Sequence, residues 1–260
     1  MVLQQNFAAG ILDREDVFLT AKLKLTDMDP SNIENCLDIT LDRLQTKYLD
    51  CFLMHDFQPQ KIQTNDALYA YDHQGNMLHD DSKIFIEAWK VIEDIYKRTD
   101  KLRAIGLFNF NPHQLRRIKE NCMIVPAINQ FKLNPYCNRQ RLIQRCVEYG
   151  IKPFAYSCIG SGLLEDYKIA GIANKHSVVS TNVLLQWVID QGIGCVLGSD
   201  TPYRIQSNLY FINKFHLTDE ERDVMNSMDL HKAGKEYRKC CALLSGLPLH
   251  RNPEAFQARM

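Results

Sequence analysis

Apolar residues recur in two rhythms along this chain. Short continuous runs rich in β-branched and aromatic residues, VFLTAK (17–22), LDCFLM (49–54), RAIGLF (103–108), PAINQF (126–131), IKPFAY (151–156) and IGCVLG (193–198), predict strands. Between them apolar positions return every three or four residues, at 30–45, 83–98, 111–121, 139–150 and 180–192, and predict helices. Strands that are continuously apolar are buried on both faces, the pattern of a parallel sheet covered by helices. Asp29 offers a cap ahead of Pro30, and Gly150 and Gly192 stand just past two predicted helix ends. No linker, low-complexity tract or charge block interrupts the pattern, so the expectation is a single α/β domain over residues 1–260.

Two α/β architectures fit such an alternation. A doubly wound open sheet usually carries a glycine-rich phosphate turn after its first strand, and VFLTAKLKLTD contains no glycine. IGSGLL, at 159–164, follows a strand but lacks the third glycine of that turn. A (β/α)8 TIM barrel fits better, with six strands recognisable and the first two missing. Because the first recognisable strand begins at residue 17, the missing units would precede Met1. Two open barrel edges follow from this, which predicts marginal stability or self-association through those edges.

Composition narrows the partners. With 31 basic and 31 acidic side chains the net charge is +0, which gives no electrostatic reason to bind nucleic acid or an anionic membrane. A small-molecule ligand is the expectation. The apolar runs are too short to span a bilayer and MVLQQNF lacks the layout of a signal peptide, so a soluble, cytoplasmic protein is expected. The 9 cysteines include no CxxC spacing, which reads as reduced thiols and no metal site.

Candidate chemistry lies at strand ends. Catalytic groups of a barrel gather where strands finish, and Lys22 and His55 end the first two predicted strands. Parallel neighbours are about 4.8 Å apart, so inward side chains at matching heights can share one ligand atom. Alternation sends Leu49, Cys51, Leu53 and His55 to one side and Asp56 to the other, so His55 faces the pocket and Asp56 opens a loop.

Taken in order, REDVFLTAKL, LDCFLMH, RAIGLFNFN, PAINQFKLNPY, IKPFAYS and RKCCALLS resemble successive blocks of the aldo-keto reductase family, from about the chain start to Leu244. The resemblance implies a (β/α)8 barrel that binds NADP(H) at the C-terminal face of the sheet and reduces aldehydes and ketones. It assigns Lys22 and His55 to the family's catalytic set. It matches Asn109 and Gln130 to residues holding the nicotinamide carboxamide, and Tyr156, followed by Ser157, to the ring stacked on the nicotinamide. Ser199, Arg204 and Asn208 match residues at the adenosine 2′-phosphate and adenine. Cys241 matches a cysteine of the C-terminal substrate loop, and the segment 57–82, with Tyr69, Tyr71 and His79, matches a second specificity loop.

Departures from the family pattern are equally specific. The family's acid tyrosine and its paired aspartate have no counterpart in the chain, lying on the unit expected before Met1. Asp56 stands where the family has tryptophan, Phe108 where it has serine, and Gly198 where it has lysine. The connection after Tyr156 is also shorter than the family's cofactor strap. These changes predict weakened NADP(H) binding and blurred NADP preference. They leave two functional expectations: a carbonyl reductase of reduced activity, or a catalytically inactive relative that binds a cofactor, a metabolite or a protein. An incomplete or spliced form of an ordinary reductase would give the same sequence.

Overall fold

The second predicted strand, LDCFLM, shows how the sequence becomes structure. It forms β2 (Cys51–His55), and all of its residues but the last are buried, as expected of a strand covered on both faces. The computed structural model describes residues 2–24, 27–55, 81–160, 162–210 and 214–230, with only the backbone described at 81–84. Asp56, the segment 57–80, Cys240 and Cys241 lie outside the described residues.

The remaining strands are β1 (Thr20–Leu23), β3 (Ile105–Phe108), β4 (Ile128–Lys132), β5 (Lys152–Tyr156) and β6 (Gly194–Val196), each within two or three residues of the sequence expectation. They hydrogen-bond in the order β1-β2-β3-β4-β5-β6 in one 6-stranded sheet. The pairs β1·β2, β2·β3 and β3·β4 are parallel. Helices α2 (Ile33–Leu44), α3 (Asp81–Arg98), α4 (Pro112–Asn121), α5 (Gln140–Glu148) and α7 (Ser180–Ile189) occupy the predicted helical stretches, and α1 (Val2–Ala8), α6 (Tyr167–His176), α8 (Pro202–Tyr210) and α9 (Asp219–Asn226) are additional. Sequential parallel strands joined by helices are the (β/α) barrel type of fold.

Residue contacts divide the chain into two compact units, Met1–Phe131 with Gln140–Phe154, and Lys132–Arg139 with Ala155–Met260. In the first, Leu49, Phe52, Leu53, Trp89, Ile92, Leu107, Phe110, Leu115 and Phe131 form the interior. Packing there is tight enough that a side chain at Gly106 would meet the Ile128 carbonyl and Leu53 Cδ2 at 2.9 Å, so the third strand needs glycine at this position. In the second unit Ala155, Ile169, Val183, Leu184, Trp187, Val188 and Met225 are the core.

The cap expected at Asp29 sits earlier than the helix. Asp29 accepts from the Ser31 N–H at 2.9 Å and closes a turn, while α2 starts after Asn32. A short aspartate side chain satisfies nearby backbone donors more readily than distant ones. Gly150 and Gly192, with φ of 75° and 72°, end their helices in the left-handed conformation expected of them.

Candidate active site

In the first unit, Lys22 is the last residue but one of β1 and His55 the last of β2, so they stand near the ends of neighbouring strands, but not at one height. The register sets Lys22 opposite Leu53 and His55 opposite Phe108, so Lys22 starts one pleat below His55. Its long stem makes up the step: Lys22 Nζ reaches 3.9 Å from the centroid of the Phe108 ring. The His55 ring lies against the same phenyl, with centroids 4.6 Å apart at 58°. Phe108, 8% exposed, is therefore the residue that brings Lys22 and His55 together.

An ammonium over an aromatic face gains about 0.5–2 kcal/mol. Lys22 as a whole is an exposed residue, yet burial of its charged end lowers its pKa. No carboxylate forms a salt bridge with it among the described residues.

Asn109, just past β3, and Gln130, midway along β4, stand beside one another across the two strands. The Asn109 N–H donates to the Gln130 carbonyl at 2.8 Å, and Asn109 takes φ 64°, a left-handed conformation that asparagine tolerates. The next residue is held as firmly. Asn129, 0% exposed, accepts from the Phe110 N–H at 3.3 Å and donates to the Phe110 carbonyl at 2.9 Å. Asn129 therefore clamps the backbone that carries Asn109, and Asn111 caps α4 with Gln114 immediately after. Sequence reasoning passed over Asn129; its signal was a polar residue in the middle of an otherwise apolar strand run.

In the second unit, Tyr156 ends β5 half-buried and Ser157 follows it exposed, at φ 55°. Asn134 Nδ2 donates to the Ser157 carbonyl at 3.2 Å, and Asp166 caps α6 while accepting from the Tyr136 hydroxyl at 2.7 Å. Burial, followed by that hydrogen bond, pushes the Tyr136 phenol up to about 12. Ser199 lies in the turn after β6, accepting from the Thr201 N–H at 3.1 Å. Arg204 and Asn208 share one face of α8, a helix with no buried residue. The predicted position of Cys241 lies outside the described residues, and among those described no cluster could hold a metal ion. No described helix is long and apolar enough to cross a membrane.

A sequential parallel β/α sheet with polar groups at its strand ends defines an α/β enzyme-type scaffold. Residues 3–229 match the model of the Aldo/keto reductase family, and the chain belongs to that family. Among similar proteins, aldo-keto reductase family 1 member A1 of Cricetulus griseus is 31% identical over 88% of this chain and 73% of its own length. The Gallus gallus member A1 is 32% identical over 84% and 69%. Among solved structures, the aldose reductase of Schistosoma japonicum superposes with a TM-score of 0.76 at 27% identity, over 90% of this chain and 78% of that one. The Bombyx mori aldo-keto reductase, solved in complex with NADP, gives 0.74 at 26% over 87% and 72%. The family and its NADP-bound member support an oxidoreductase.

Proposed function

We propose that this protein is an NADP(H)-dependent oxidoreductase that reduces small aldehydes and ketones to alcohols. The observation that carries the reading is the amide pair Asn109 and Gln130, adjacent across β3 and β4 and joined through a 2.8 Å backbone bond. Each amide offers both donor and acceptor, which suits the carboxamide of a nicotinamide. Tyr156 supplies an aromatic face for the nicotinamide ring, with Ser157 beside it. Ser199, Arg204 and Asn208 are the polar groups for the adenosine end; a guanidinium suits a phosphate. Gly198, in place of the family's lysine, leaves that end with one cation fewer, so binding is weaker and NADP preference less sharp than in the family.

The bound cofactor would supply a hydride to the substrate carbonyl carbon. The carbonyl oxygen then carries the displaced electron pair and needs a proton. Lys22 and His55 are the proton-bearing groups for that step, and the lowered pKa of Lys22, caused by desolvation, favours donation. We place the enzyme in the cytoplasm, with β1 and β6 as the sheet edges through which copies would associate.

A second reading, binding without turnover, is favoured by one contact. The Phe108 ring occupies the space against both Lys22 and His55, where a carbonyl oxygen would have to arrive. General acid catalysis contributes about 10²- to 10⁴-fold, so masking both groups removes most of it.

An NADPH titration followed by tryptophan fluorescence, with NADH as comparison and aldehyde turnover measured on the wild type and on Phe108→Ser, tests both readings. Saturable NADPH binding with turnover supports the reductase. Binding without turnover, recovered in Phe108→Ser, supports the masked site. A folded sample that binds neither nucleotide overturns both.

A further inference from the structure

A cleft of about 300 Å³ opens in the first unit between α3 and the connection that leads from α4 into β4. Lys90, Glu93, Asp94 and Lys97 line it from α3, and Asn121 and Met123 line the opposite side. None of them takes part in the proposed reductase chemistry.

The connection is anchored from beneath. Glu93, 3% exposed, accepts through one carboxylate oxygen from the Trp89 indole N–H at 3.0 Å and from the Met123 and Ile124 N–H groups at 2.7 and 2.6 Å. These bonds fix the backbone of Met123 against α3. Met123 itself is nonetheless 80% exposed, whereas Met28, Met54, Met225 and Met228 are 2%, 0%, 0% and 7% exposed. Lys97 Nζ donates to its Sδ at 3.6 Å. A thioether is a weak acceptor, so this contact contributes little as it stands.

We propose that Met123 is a site of reversible oxidation by hydroperoxides, and that Lys97 receives the sulfoxide oxygen, so that the modification tightens α3 against the connection into β4. Thioether sulfur carries two lone pairs, and Lys97 leaves one of them open to solvent. That lone pair attacks one oxygen of the hydroperoxide; the S–O bond forms and the O–O bond breaks. The departing oxygen leaves as water or an alcohol, taking the proton that the transferred oxygen gives up. The sulfur loses two electrons and the peroxide gains them, and a methionine sulfoxide reductase can reverse the step.

The product suits its neighbour better than the reactant does. A sulfoxide oxygen carries partial negative charge, and an ammonium donating to it makes a charge-assisted bond where the thioether made a weak one. Because Glu93 already holds the Met123 backbone, little further ordering is needed to form that bond. The inference stands apart from the reductase reading, since it uses none of that site's residues.

The test is to treat the full chain with hydrogen peroxide, follow added oxygen peptide by peptide by mass, and measure denaturant midpoints before and after. Met123 is expected to be oxidised faster than Met28, Met54, Met225 and Met228 by about tenfold or more, because the buried four react only through opening of the fold. A Met123→Leu chain treated alike gives the effect of oxidation elsewhere. Relative to that background the oxidised wild type is expected to show a higher midpoint, and Lys97→Ala is expected to abolish the rise while leaving Met123 oxidisable. Oxidation of Met123 no faster than that of the buried four, a midpoint unchanged or lowered relative to the background, or a rise that persists in Lys97→Ala overturns the proposal.

Discussion

The strand-end residues of the first unit and the corresponding residues of the second are built in different ways. Asn109 and Gln130 sit on a backbone that Asn129 clamps from below, and Lys22 and His55 press on one buried ring. Ser199, Arg204 and Asn208 stand on a turn and on a helix with no buried residue. The first arrangement has its geometry fixed before any ligand arrives, so little ordering entropy remains to be lost on binding. The second presents its charge on Arg204, an exposed side chain of that helix. If the proposed function holds, the nicotinamide end supplies specificity of placement and the adenosine end supplies adjustable, salt-sensitive affinity.

The largest effect is expected where that clamp is cut. Asn129→Leu leaves the Phe110 N–H and carbonyl buried without their partner, and each orphaned backbone group costs about 1–3 kcal/mol. A loss of about 2–4 kcal/mol in denaturant unfolding is expected, together with loss of nucleotide binding. An unchanged midpoint would show that the fixed geometry of the first unit does not depend on Asn129.

Acid should reach both units through buried carboxylates. Burial pushes Asp50 up, but the Leu19 N–H and Arg14, then Arg103, bring it below its ordinary value. In the second unit Glu221 is brought down by His176 and the Thr218 N–H, and Asp190 by His216, the Leu217 N–H and Gln186, again against burial. A carboxylate with a lowered folded pKa contributes stability above its unfolded value, and that stability is lost as pH falls through the folded one. Stability should therefore hold at neutral pH and decline below the ordinary values of 3.8 for aspartate and 4.5 for glutamate. Urea midpoints measured across this range, repeated on Glu221→Gln, locate the loss. A Glu221→Gln profile as steep as the wild type's would remove this residue from the account.

Arg204→Ala tests the exposed half directly. It should weaken NADPH binding by about tenfold, or about 1.4 kcal/mol, with NADH unaffected. Because α8 buries nothing, unfolding should move by less than about 0.5 kcal/mol. Equal weakening of both nucleotides would mean that Arg204 does not meet the 2′-phosphate.

These differences bear on what a single sequence reveals. The strands were legible because a doubly covered strand must be apolar along its whole length, a signal that survives without tertiary information. Lys22 and His55 were legible as strand ends, but their relative height was not, since register depends on which residues pair. Phe108 stood out as a departure, while its contact with both residues depends on where its ring turns. Helix α8 was missed because Tyr203, Ile205, Leu209 and Tyr210 are all exposed and trace no buried stripe. Helix α9 was missed despite the box of Thr218 and Glu221 at its start, a local signal that could have been read.

The smallest effect expected is a gain. Asn182, on α7, is 3% exposed, and neither Oδ1 nor Nδ2 has a hydrogen-bond partner. A buried amide without partners carries its desolvation cost uncompensated, and an apolar group of similar shape removes that cost. Asn182→Leu should raise stability by about 1 kcal/mol, read as a higher denaturant midpoint at unchanged slope. A loss of stability instead would mean that Asn182 is satisfied by water held inside the unit, and that a fixed polar network underlies the second unit as it does the first.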